Sequence, residues 1–284
     1  MGRTRETQEG PTHPRGLRRG PEPPRGQAAP RTSRDFGALD LERLWAGREK
    51  VTQVEREVLR QALRQAPSGR WLEIGPGGGR LTPVLIAGSP SVVVLDLTPG
   101  FLRALPRSIS DPVARVAGDV LRLPFGDRTF STVSMVRVYG FLRDPASALR
   151  EIARVLVPDG LLVLSYEPKP TLQSLVDDLK MALSRGPGEK VRPRTFSRAP
   201  VSEVHPSIYP AWAPTRARFG EVLGSSGFDL REEGPTGLED YRFLRKLPTG
   251  MFVGLSHALS RMGGFPSRFI VARRSPRTSP ASYP

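Results

Sequence analysis

The residues best suited to chemistry in this sequence stand in one short stretch, WLEIGPGGGRL, residues 71 to 81. It contains four glycines, and an acid, Glu73, stands two positions before the first of them. Glycine lets the backbone adopt positive φ angles and lets a ligand approach the main chain closely. We therefore expect a ligand site lined by backbone at this turn, formed by Gly75, Pro76, Gly77 and Gly79.

The position of Glu73 bears on the charge of that ligand. The dinucleotide fingerprint Gly-x-Gly-x-x-Gly cradles a pyrophosphate at the start of a helix. Here Arg80 stands where the third glycine of that fingerprint belongs, and a carboxylate beside the turn would repel a pyrophosphate. S-adenosylmethionine has no phosphate and carries a sulfonium and an ammonium group, so a nearby acid suits it. The turn therefore favours S-adenosylmethionine over a dinucleotide as the cofactor.

Two further acids stand at the ends of the next two predicted strands. Asp96 lies 21 positions after Gly75, where a carboxylate can accept hydrogen bonds from both ribose hydroxyls of either cofactor. Asp119 follows a third strand and is placed to accept a hydrogen bond from an adenine amino group, with the Val120 N–H beside the ring. Singly, Asp96 could cap a helix and Asp119 could fix a turn. Three acids at three successive strand ends predict a nucleoside site.

The elements that must position these residues alternate between strands and helices. Apolar residues at helical spacing predict a helix before the glycine turn, and Pro83 suits the first turn of a helix after it. Asp144 is a predicted N-cap with Pro145 behind it, and Pro158-Asp159-Gly160 predicts a turn before the strand LLVLSY. This alternation is typical of βαβ units and a mainly parallel sheet, which we expect between residues 70 and 273. Later helices are expected in 170–184 and 215–228, and later strands in FDLREE and RFIVARR.

Four segments carry a resemblance to a known family: WLEIGPGGGRL, VVVLDLTPGFL, VAGDVLRLPFGDRTFSTV and DPASALREIARVLVPDGLLVLS. They resemble the class I S-adenosylmethionine-dependent methyltransferases, in particular the type 11 group with the ubiquinone and menaquinone enzymes. The resemblance implies an α/β fold, a Rossmann-like three-layer sandwich with a seven-stranded, mostly parallel sheet whose last strand is antiparallel. It implies cofactor binding by Glu73, Gly75, Pro76, Gly77, Gly79, Asp96, Leu97, Asp119, Val120, Met135 and Arg137.

The sequence departs from this family at two places. Where the family usually has an Asp after the Phe of the fourth strand, this chain has Ser131, and the frequent His pair a few positions on is Gly140-Phe141 here. Both departures leave the cofactor turn intact. They argue against assigning substrate-side roles to residues 137 to 142.

A hydride-transferring enzyme is the rival on the same fold. The common short-chain reductases need a Tyr-x-x-x-Lys motif, in which the lysine lowers the tyrosine pKa. None of the five tyrosines has a lysine at that spacing, which excludes this chemistry. The chain has no cysteine and three histidines, so thiolate zinc sites are excluded and we expect no metal cofactor.

Methyl transfer from a sulfonium mainly requires the acceptor, the methyl group and the sulfur to be aligned and water to be excluded. A general base is needed only when the acceptor must lose a proton; His205 and Tyr139 are candidates, and neither is assigned a catalytic role. We expect residues 168 to 215 to cover the substrate as a lid. Its apolar and aromatic residues suit a small hydrophobic or aromatic acceptor, but would equally serve to pack the lid on the core: Phe196, Ile208, Tyr209 and Trp212.

The charge distribution leaves an alternative open. The formal net charge is +15, and residues 1 to 34 hold eight arginines, six prolines and five glycines, which predicts a disordered basic leader. We expect the methyltransferase domain in residues 35 to 273 and a disordered tail in 274 to 284. A basic leader and aromatic side chains also suit RNA, so an RNA-directed methyltransferase or nucleic-acid-binding protein is the second hypothesis. The Asn/Asp-Pro-Pro-Tyr/Phe motif of N-methylating nucleic-acid enzymes is absent, MVRVYG standing in its place, which disfavours it.

The hydropathy pattern predicts the compartment. No apolar run approaches the length of a membrane span, and the first residues lack the apolar core of a secretory signal. We therefore expect a cytoplasmic protein without a membrane span.

Overall fold

The computed structural model describes residues 40–41, 45–142, 144–168, 214–235, 248, 250–251 and 268–276. All of them belong to the unit Arg31–Pro284. Several predictions lie outside the described residues: the leader, the helix in 170–184, residues 169–213 of the lid with His205 and its aromatic residues, and the tail beyond residue 276. Of the predicted tail, Arg274 is buried and ends a strand.

A single sheet of seven strands organises the described part of the chain. The strands are β1 (Trp71–Ile74), β2 (Val92–Asp96), β3 (Val113–Ala117), β4 (Phe130–Met135), β5 (Leu156–Tyr166), β6 (Phe228–Pro235) and β7 (Arg268–Arg274). Their order is β3-β2-β1-β4-β5-β7-β6. Strands β1 to β5 pair in parallel, and β7 is antiparallel to both β5 and β6, which confirms the expected fold.

The helices pack on both faces of this sheet. They are α1 (Glu49–Leu63), α2 (Thr82–Gly88), α3 (Pro99–Ala104), α4 (Arg107–Ser110), α5 (Pro145–Val155) and α6 (Arg216–Ser225), with a 3-10 turn at Tyr139–Phe141. The predicted cap of α5 is confirmed: Asp144 Oδ1 accepts a hydrogen bond from the Ser147 N–H at 3.0 Å. Pro83 lies in the first turn of α2, where its missing N–H leaves no bond unmade.

The core has two parts, one on each face of the sheet. Alternate residues of the central strands point to opposite faces, so Leu72 and Ile74 of β1 join the cluster with α5 and α6, while Trp71 joins the cluster with α1 to α4. Both faces of β1, β2 and β4 are buried, as in parallel sheets covered by helices. The three layers are therefore helices, sheet and helices, as the resemblance implies.

One local prediction needs correction in β5. The strand begins at Leu156 and contains Pro158-Asp159-Gly160, which was expected to be a turn in front of it. Phe130 pairs with Leu156 but Thr132 already pairs with Leu161, so the intervening residues bulge from the ladder. Asp159 has a φ of 59°, which is a turn conformation. The turn is present, but inside the strand, since parallel pairing with β4 starts earlier than the sequence indicates.

The strand order places the site. The neighbours of β1 are β2 on one side and β4 on the other, so the chain winds away from β1 in both directions. Ligands of open α/β sheets bind at such a switch point, beyond the carboxyl ends of the strands. The glycine turn leaves β1 at this point.

Candidate cofactor site

The backbone of the turn after β1 requires glycine. Gly75, Gly77 and Gly79 have φ angles of 70°, 55° and 75°, in the left-handed region that other residues rarely adopt. A Cβ atom at Gly75 would collide with Val138 Cγ2, and one at Gly79 would lie 2.8 Å from Ile109 Cδ1. The glycine spacing thus follows from main-chain geometry and close packing, as predicted for a turn that presents bare backbone.

Hydrogen bonds fix this turn. The Gly75 N–H donates to the Leu95 carbonyl of β2 at 2.8 Å, and the Gly79 N–H donates to the Pro76 carbonyl at 2.9 Å. The first bond ties the turn to the neighbouring strand and the second closes the turn on itself. A site fixed in this way loses little conformational freedom when a ligand binds.

Glu73 lies in β1, two residues before the turn, and its carboxyl group is buried. It is 5% exposed, and burial raises its pKa to about 7, because the charged form is poorly solvated there. The Thr82 hydroxyl of α2 donates to this carboxyl and, together with the charge of Arg80, opposes the shift. The hydroxyl of Ser134, the register partner of Glu73 on β4, has no hydrogen-bond partner among the described residues. A bound ammonium group would donate to both the Glu73 carboxylate and the Ser134 hydroxyl.

Asp96 closes β2 beside the glycine turn. Its Oδ1 accepts a hydrogen bond from the Thr98 N–H at 2.8 Å, which fixes the turn into α3 without capping that helix, so the helix-capping alternative is not confirmed. Burial raises its pKa, and the N–H groups of Thr98 and Gly77 near the carboxylate oppose that shift. The neighbouring Leu97 is 37% exposed, an apolar surface at the same strand end. The carboxylate is therefore held in position between the glycine turn and α3.

Asp119 and Val120 lie in the loop between β3 and β4. Asp119 Oδ1 accepts a hydrogen bond from the Leu121 N–H at 2.9 Å, so it does fix a turn. The Gly118 N–H donates to the Asp96 carbonyl at 3.0 Å, which joins this loop to the end of β2. The structure thus brings the predicted ribose and adenine residues to neighbouring strand ends on one edge of the sheet.

Met135 ends β4 at the same edge, and Arg137 follows it two residues later. The Met135 side chain is fully buried in the core, whereas the Arg137 N–H donates to Ser165 Oγ at 2.8 Å with a φ of 61°. The Arg137 guanidinium donates from Nε to Glu55 Oε1 at 2.8 Å and from Nη1 to Glu167 Oε1 at 3.3 Å. Arg137 therefore lies at the site edge, with its side chain held by acids of this protein.

The sequence interpretation missed Glu55, a fully buried carboxylate on α1. It forms ion pairs with Arg137 and with Arg80 of the glycine turn, and the Arg80 guanidinium lies 3.7 Å from the ring centroid of Trp45. Burial would raise the pKa of Glu55, but the two arginines outweigh it and hold that pKa below its ordinary value. The signal available in the sequence was an acid within the apolar face of a helix, between Val54 and Leu59.

The two departures from the family lie in different places. Ser131 is at the amino end of β4, where its hydroxyl donates to the Pro67 carbonyl at 3.1 Å, on the edge opposite the glycine turn. Gly140 and Phe141 lie in the 3-10 turn that follows Arg137. Only the second departure is therefore close to the site.

Tyr139 is unsuited to act as a general base. It is 2% exposed, with its ring 5.2 Å from Phe219 and 6.3 Å from Tyr166, centroid to centroid. Burial raises the pKa of Tyr139 to about 12, so its phenolate is scarcely populated near neutral pH.

The described residues contain no cluster of three or more His, Asp and Glu side chains arranged to hold a metal ion. Within the described ranges, every helix is too short or too polar to serve as a membrane span.

The middle of the chain is similar to known methyltransferases. Residues 72–164, which include every predicted cofactor-binding residue, match the family described as methyltransferase domain. The demethylmenaquinone methyltransferase of Mycolicibacterium vanbaalenii is 34% identical over 116 residues, 41% of this chain and 50% of that protein. An uncharacterized methyltransferase of Mycobacterium bovis is 31% identical over 142 residues, 50% of this chain and 57% of that protein. The chain thus spans about half the length of these curated relatives.

Solved structures share the fold. Magnesium protoporphyrin IX methyltransferase from Synechocystis PCC 6803, with bound SAH, aligns with a TM-score of 0.56 and 17% identity. The alignment covers 86% of this chain and 96% of that one. At this identity the likeness establishes a common architecture and says nothing about the acceptor.

Proposed function

We propose that this chain, which contains a class I S-adenosylmethionine-dependent methyltransferase domain, transfers a methyl group from S-adenosylmethionine to a small hydrophobic or aromatic molecule. The observation that carries the proposal is the buried Glu73 carboxyl near the end of β1, two residues before a turn of bare backbone. The ionised carboxyl would stabilise a cationic amino-acid group, whereas it would repel a pyrophosphate.

The residues present fit this cofactor along its whole length. Glu73 would face the methionyl ammonium, Asp96 the ribose hydroxyls and Asp119 the adenine amino group, with the remaining positions lining the site between them. These are Gly75, Pro76, Gly77, Gly79, Leu97, Val120, Met135 and Arg137. A side chain at Gly75 or Gly79 would occupy space already filled by Val138 or Ile109, so the turn can present only main chain to the ligand.

The protein's contribution to the reaction is binding, orientation and exclusion of water. When bound, the cofactor supplies a methyl group already activated by the sulfonium charge. The rigid glycine turn and the acids at three strand ends fix one partner of an in-line displacement, which lowers the entropic part of the barrier. Because Tyr139 is buried with a raised pKa, it would not supply the base that a hydroxyl or phenol acceptor requires.

The name of one curated relative supports a hydrophobic or aromatic acceptor, since it refers to demethylmenaquinone. The predicted lid, residues 168 to 215, contains three aromatic residues of the kind that pack on apolar rings: Phe196, Tyr209 and Trp212.

Two measurements test the proposal. Calorimetry with S-adenosylhomocysteine should show one binding site per chain. Transfer of a deuterated methyl group to quinols, porphyrins, amines and RNA, followed by mass spectrometry, should label a ring-bearing small molecule. Absence of S-adenosylhomocysteine binding would remove the cofactor assignment. Label found in RNA alone, with binding that weakens steeply as salt rises, would replace the small-molecule acceptor with the nucleic-acid alternative.

A further inference from the structure

One ion pair on α5 holds the loop that carries Asp119 and Val120. From it we propose that Arg154 and Glu151 are positioning residues for adenine recognition, acting through this loop without touching the ligand. The inference rests on the proposed function, since it takes the Asp119 carboxylate as the acceptor for the adenine amino group.

Arg154 uses all five of its N–H donors, the full capacity of a guanidinium. Two of them form a bidentate pair with Glu151, from Nε to Oε1 and from Nη2 to Oε2, both at 2.8 Å. The other three reach into the loop: Nη1 to the Phe125 carbonyl at 2.8 Å and to Asp127 Oδ1 at 2.9 Å, and Nη2 to the Leu123 carbonyl at 3.0 Å. A side chain so engaged has one arrangement and cannot move without breaking several bonds.

Glu151 completes the attachment. Its Oε2 also accepts the Leu123 N–H at 2.8 Å, so both polar groups of the Leu123 backbone are held by the same ion pair. The Arg128 N–H donates to the Arg154 carbonyl at 3.0 Å, which adds a main-chain bond further along the loop. Four loop residues, Leu123, Phe125, Asp127 and Arg128, are thereby anchored to the end of α5.

The anchored segment continues directly into the predicted adenine site. Asp119 forms an isolated bridge with Arg122, and its Oδ1 accepts the Leu121 N–H, so residues 119 to 122 form one tight turn. Leu123 follows that turn at once and is 3% exposed, packed with Val120 in the core. A shift of Leu123 would therefore shift the turn and reorient the Asp119 carboxylate.

The other cofactor-binding side chains are fixed by bonds outside this pair. Glu73 and the glycine turn belong to β1 and its exit. The Asp96 carboxylate accepts the Thr98 N–H, and it is the Asp96 main-chain carbonyl that is joined to the loop, through the Gly118 N–H. Removing the Arg154 side chain would leave the Leu123 and Phe125 carbonyls without their charged donor, and the loop would relax to satisfy them. We expect the loss to fall on adenine recognition alone.

A comparison of two nucleosides tests this with the full-length protein. S-inosylhomocysteine has a carbonyl where S-adenosylhomocysteine has the amino group, so it cannot donate to Asp119. The wild type should prefer S-adenosylhomocysteine about tenfold, the effect of one charge-assisted hydrogen bond. Arg154→Met should reduce that preference to about twofold. Arg150→Met is the matched control, because Arg150 lies one turn away on α5 and donates to Ser147 Oγ at 2.7 Å; it should keep the full preference.

If Arg154 had a merely structural role, Arg154→Met would weaken the binding of both nucleosides by the same factor. The ratio of the two dissociation constants would then be unchanged, and that result would overturn the inference. Asp119→Ala, which removes the acceptor, should abolish the preference by itself, and adding Arg154→Met to it should change the ratio no further. If Arg154→Met fails to fold, Glu151→Gln provides the same comparison of ratios. Failure of the wild type to bind either nucleoside would refute the proposed function itself. A wild type with the preference and an Arg154 variant that retains it would refute this inference alone.

Discussion

Arg137, which follows β4, donates a hydrogen bond from Nε to Oε1 of Glu55 on α1, at 2.8 Å. Because Glu55 also pairs with Arg80 of the glycine turn, one buried carboxylate joins the first helix of the sheet domain to two sides of the cofactor site. The guanidinium of Arg80 in turn packs on the Trp45 ring. The segment before the sheet therefore contributes to the site, although none of its residues belongs to the glycine turn.

Replacing Glu55 tests whether this network is needed for stability. Glu55→Gln would leave two arginines without their buried counter-charge, so we expect the free energy of unfolding to fall by about 2 to 3 kcal/mol, below the full cost for a wholly buried pair since both arginines are partly exposed. Urea unfolding measures the change. Glu57→Gln on the same helix is the control, because its pair with Arg60 is exposed at the surface and should be worth less than about 0.5 kcal/mol. Equal losses for the two variants would show that the buried network adds no more to the free energy of unfolding than an exposed ion pair does.

The contribution of Glu55 to the free energy of unfolding should depend on pH in one direction. The pKa of Glu55 is lowered in the folded protein, so its stabilisation is present above the ordinary value of 4.5 and is lost as the pH falls through the lower, folded value. Acid unfolding of the wild type should therefore be steeper than that of Glu55→Gln.

Asp96 is expected to hold the ribose, and its removal should weaken binding. Asp96→Ala removes a charge-assisted pair of hydrogen bonds, so we expect S-adenosylhomocysteine to bind less tightly by about 1 to 3 kcal/mol in calorimetry. Asp111→Ala, at an exposed acid after α4, should leave the affinity unchanged. Unchanged affinity in Asp96→Ala would contradict the ribose assignment.

The sequence was sufficient for the fold and for the position of the glycine turn because both depend on local patterns. Alternation of buried strands and amphipathic helices predicts the parallel sheet, and the spacing of Gly75, Gly77 and Gly79 reflects φ angles that each residue must adopt by itself. The roles of the acids at the strand ends remain predictions, although the structure brings them to one edge.

The sequence was insufficient where the structure depends on contacts between distant segments. Glu55 and Arg137 are 82 positions apart, and nothing local couples them until α1 packs on the sheet. Arg154 looks like an ordinary basic residue at the end of a helix, and its three bonds to the loop before β4 follow only from the tertiary fold. The bulge in β5 likewise arises from its register with β4.

Glu73 should couple cofactor binding to pH. Its pKa of about 7 means that near neutral pH the carboxyl is partly protonated, with Arg80 favouring the ionised form and Asp96 opposing it. A cationic ligand favours the ionised form, so binding should release a fraction of a proton and the affinity should rise with pH between about 6 and 8. Calorimetry of S-adenosylmethionine in buffers with different ionisation enthalpies measures the release. Glu73→Gln should bind more weakly and should lose the part of the release that Glu73 supplies; the same release in wild type and variant would exclude Glu73 as its source.

The Glu73 carboxyl should also make the stability of the ligand-free protein depend on pH. Because the folded pKa of Glu73 lies above its ordinary value of 4.5, the folded protein binds more protons than the unfolded chain between these values. Its contribution to stability should therefore decline as the pH rises from about 4.5 to about 7. The free energy of unfolding, measured at both pH values, should therefore fall more in the wild type than in Glu73→Gln.

The glycine turn offers a comparison of two neighbouring positions. Gly75→Ala places a methyl group against Val138 Cγ2 in a residue whose φ is 70°, so it adds a collision to an unfavourable backbone conformation. We expect it to lower the free energy of unfolding by about 2 kcal/mol or more and to weaken S-adenosylhomocysteine binding. Gly78→Ala stands in the same turn, but its added Cβ meets no atom within 4 Å and its φ is not positive, so stability should be retained. Thermal unfolding and calorimetry on the two variants separate the effects. Because Gly78 offers open space, a loss of binding without loss of stability in Gly78→Ala would indicate that the ligand itself lies against that position.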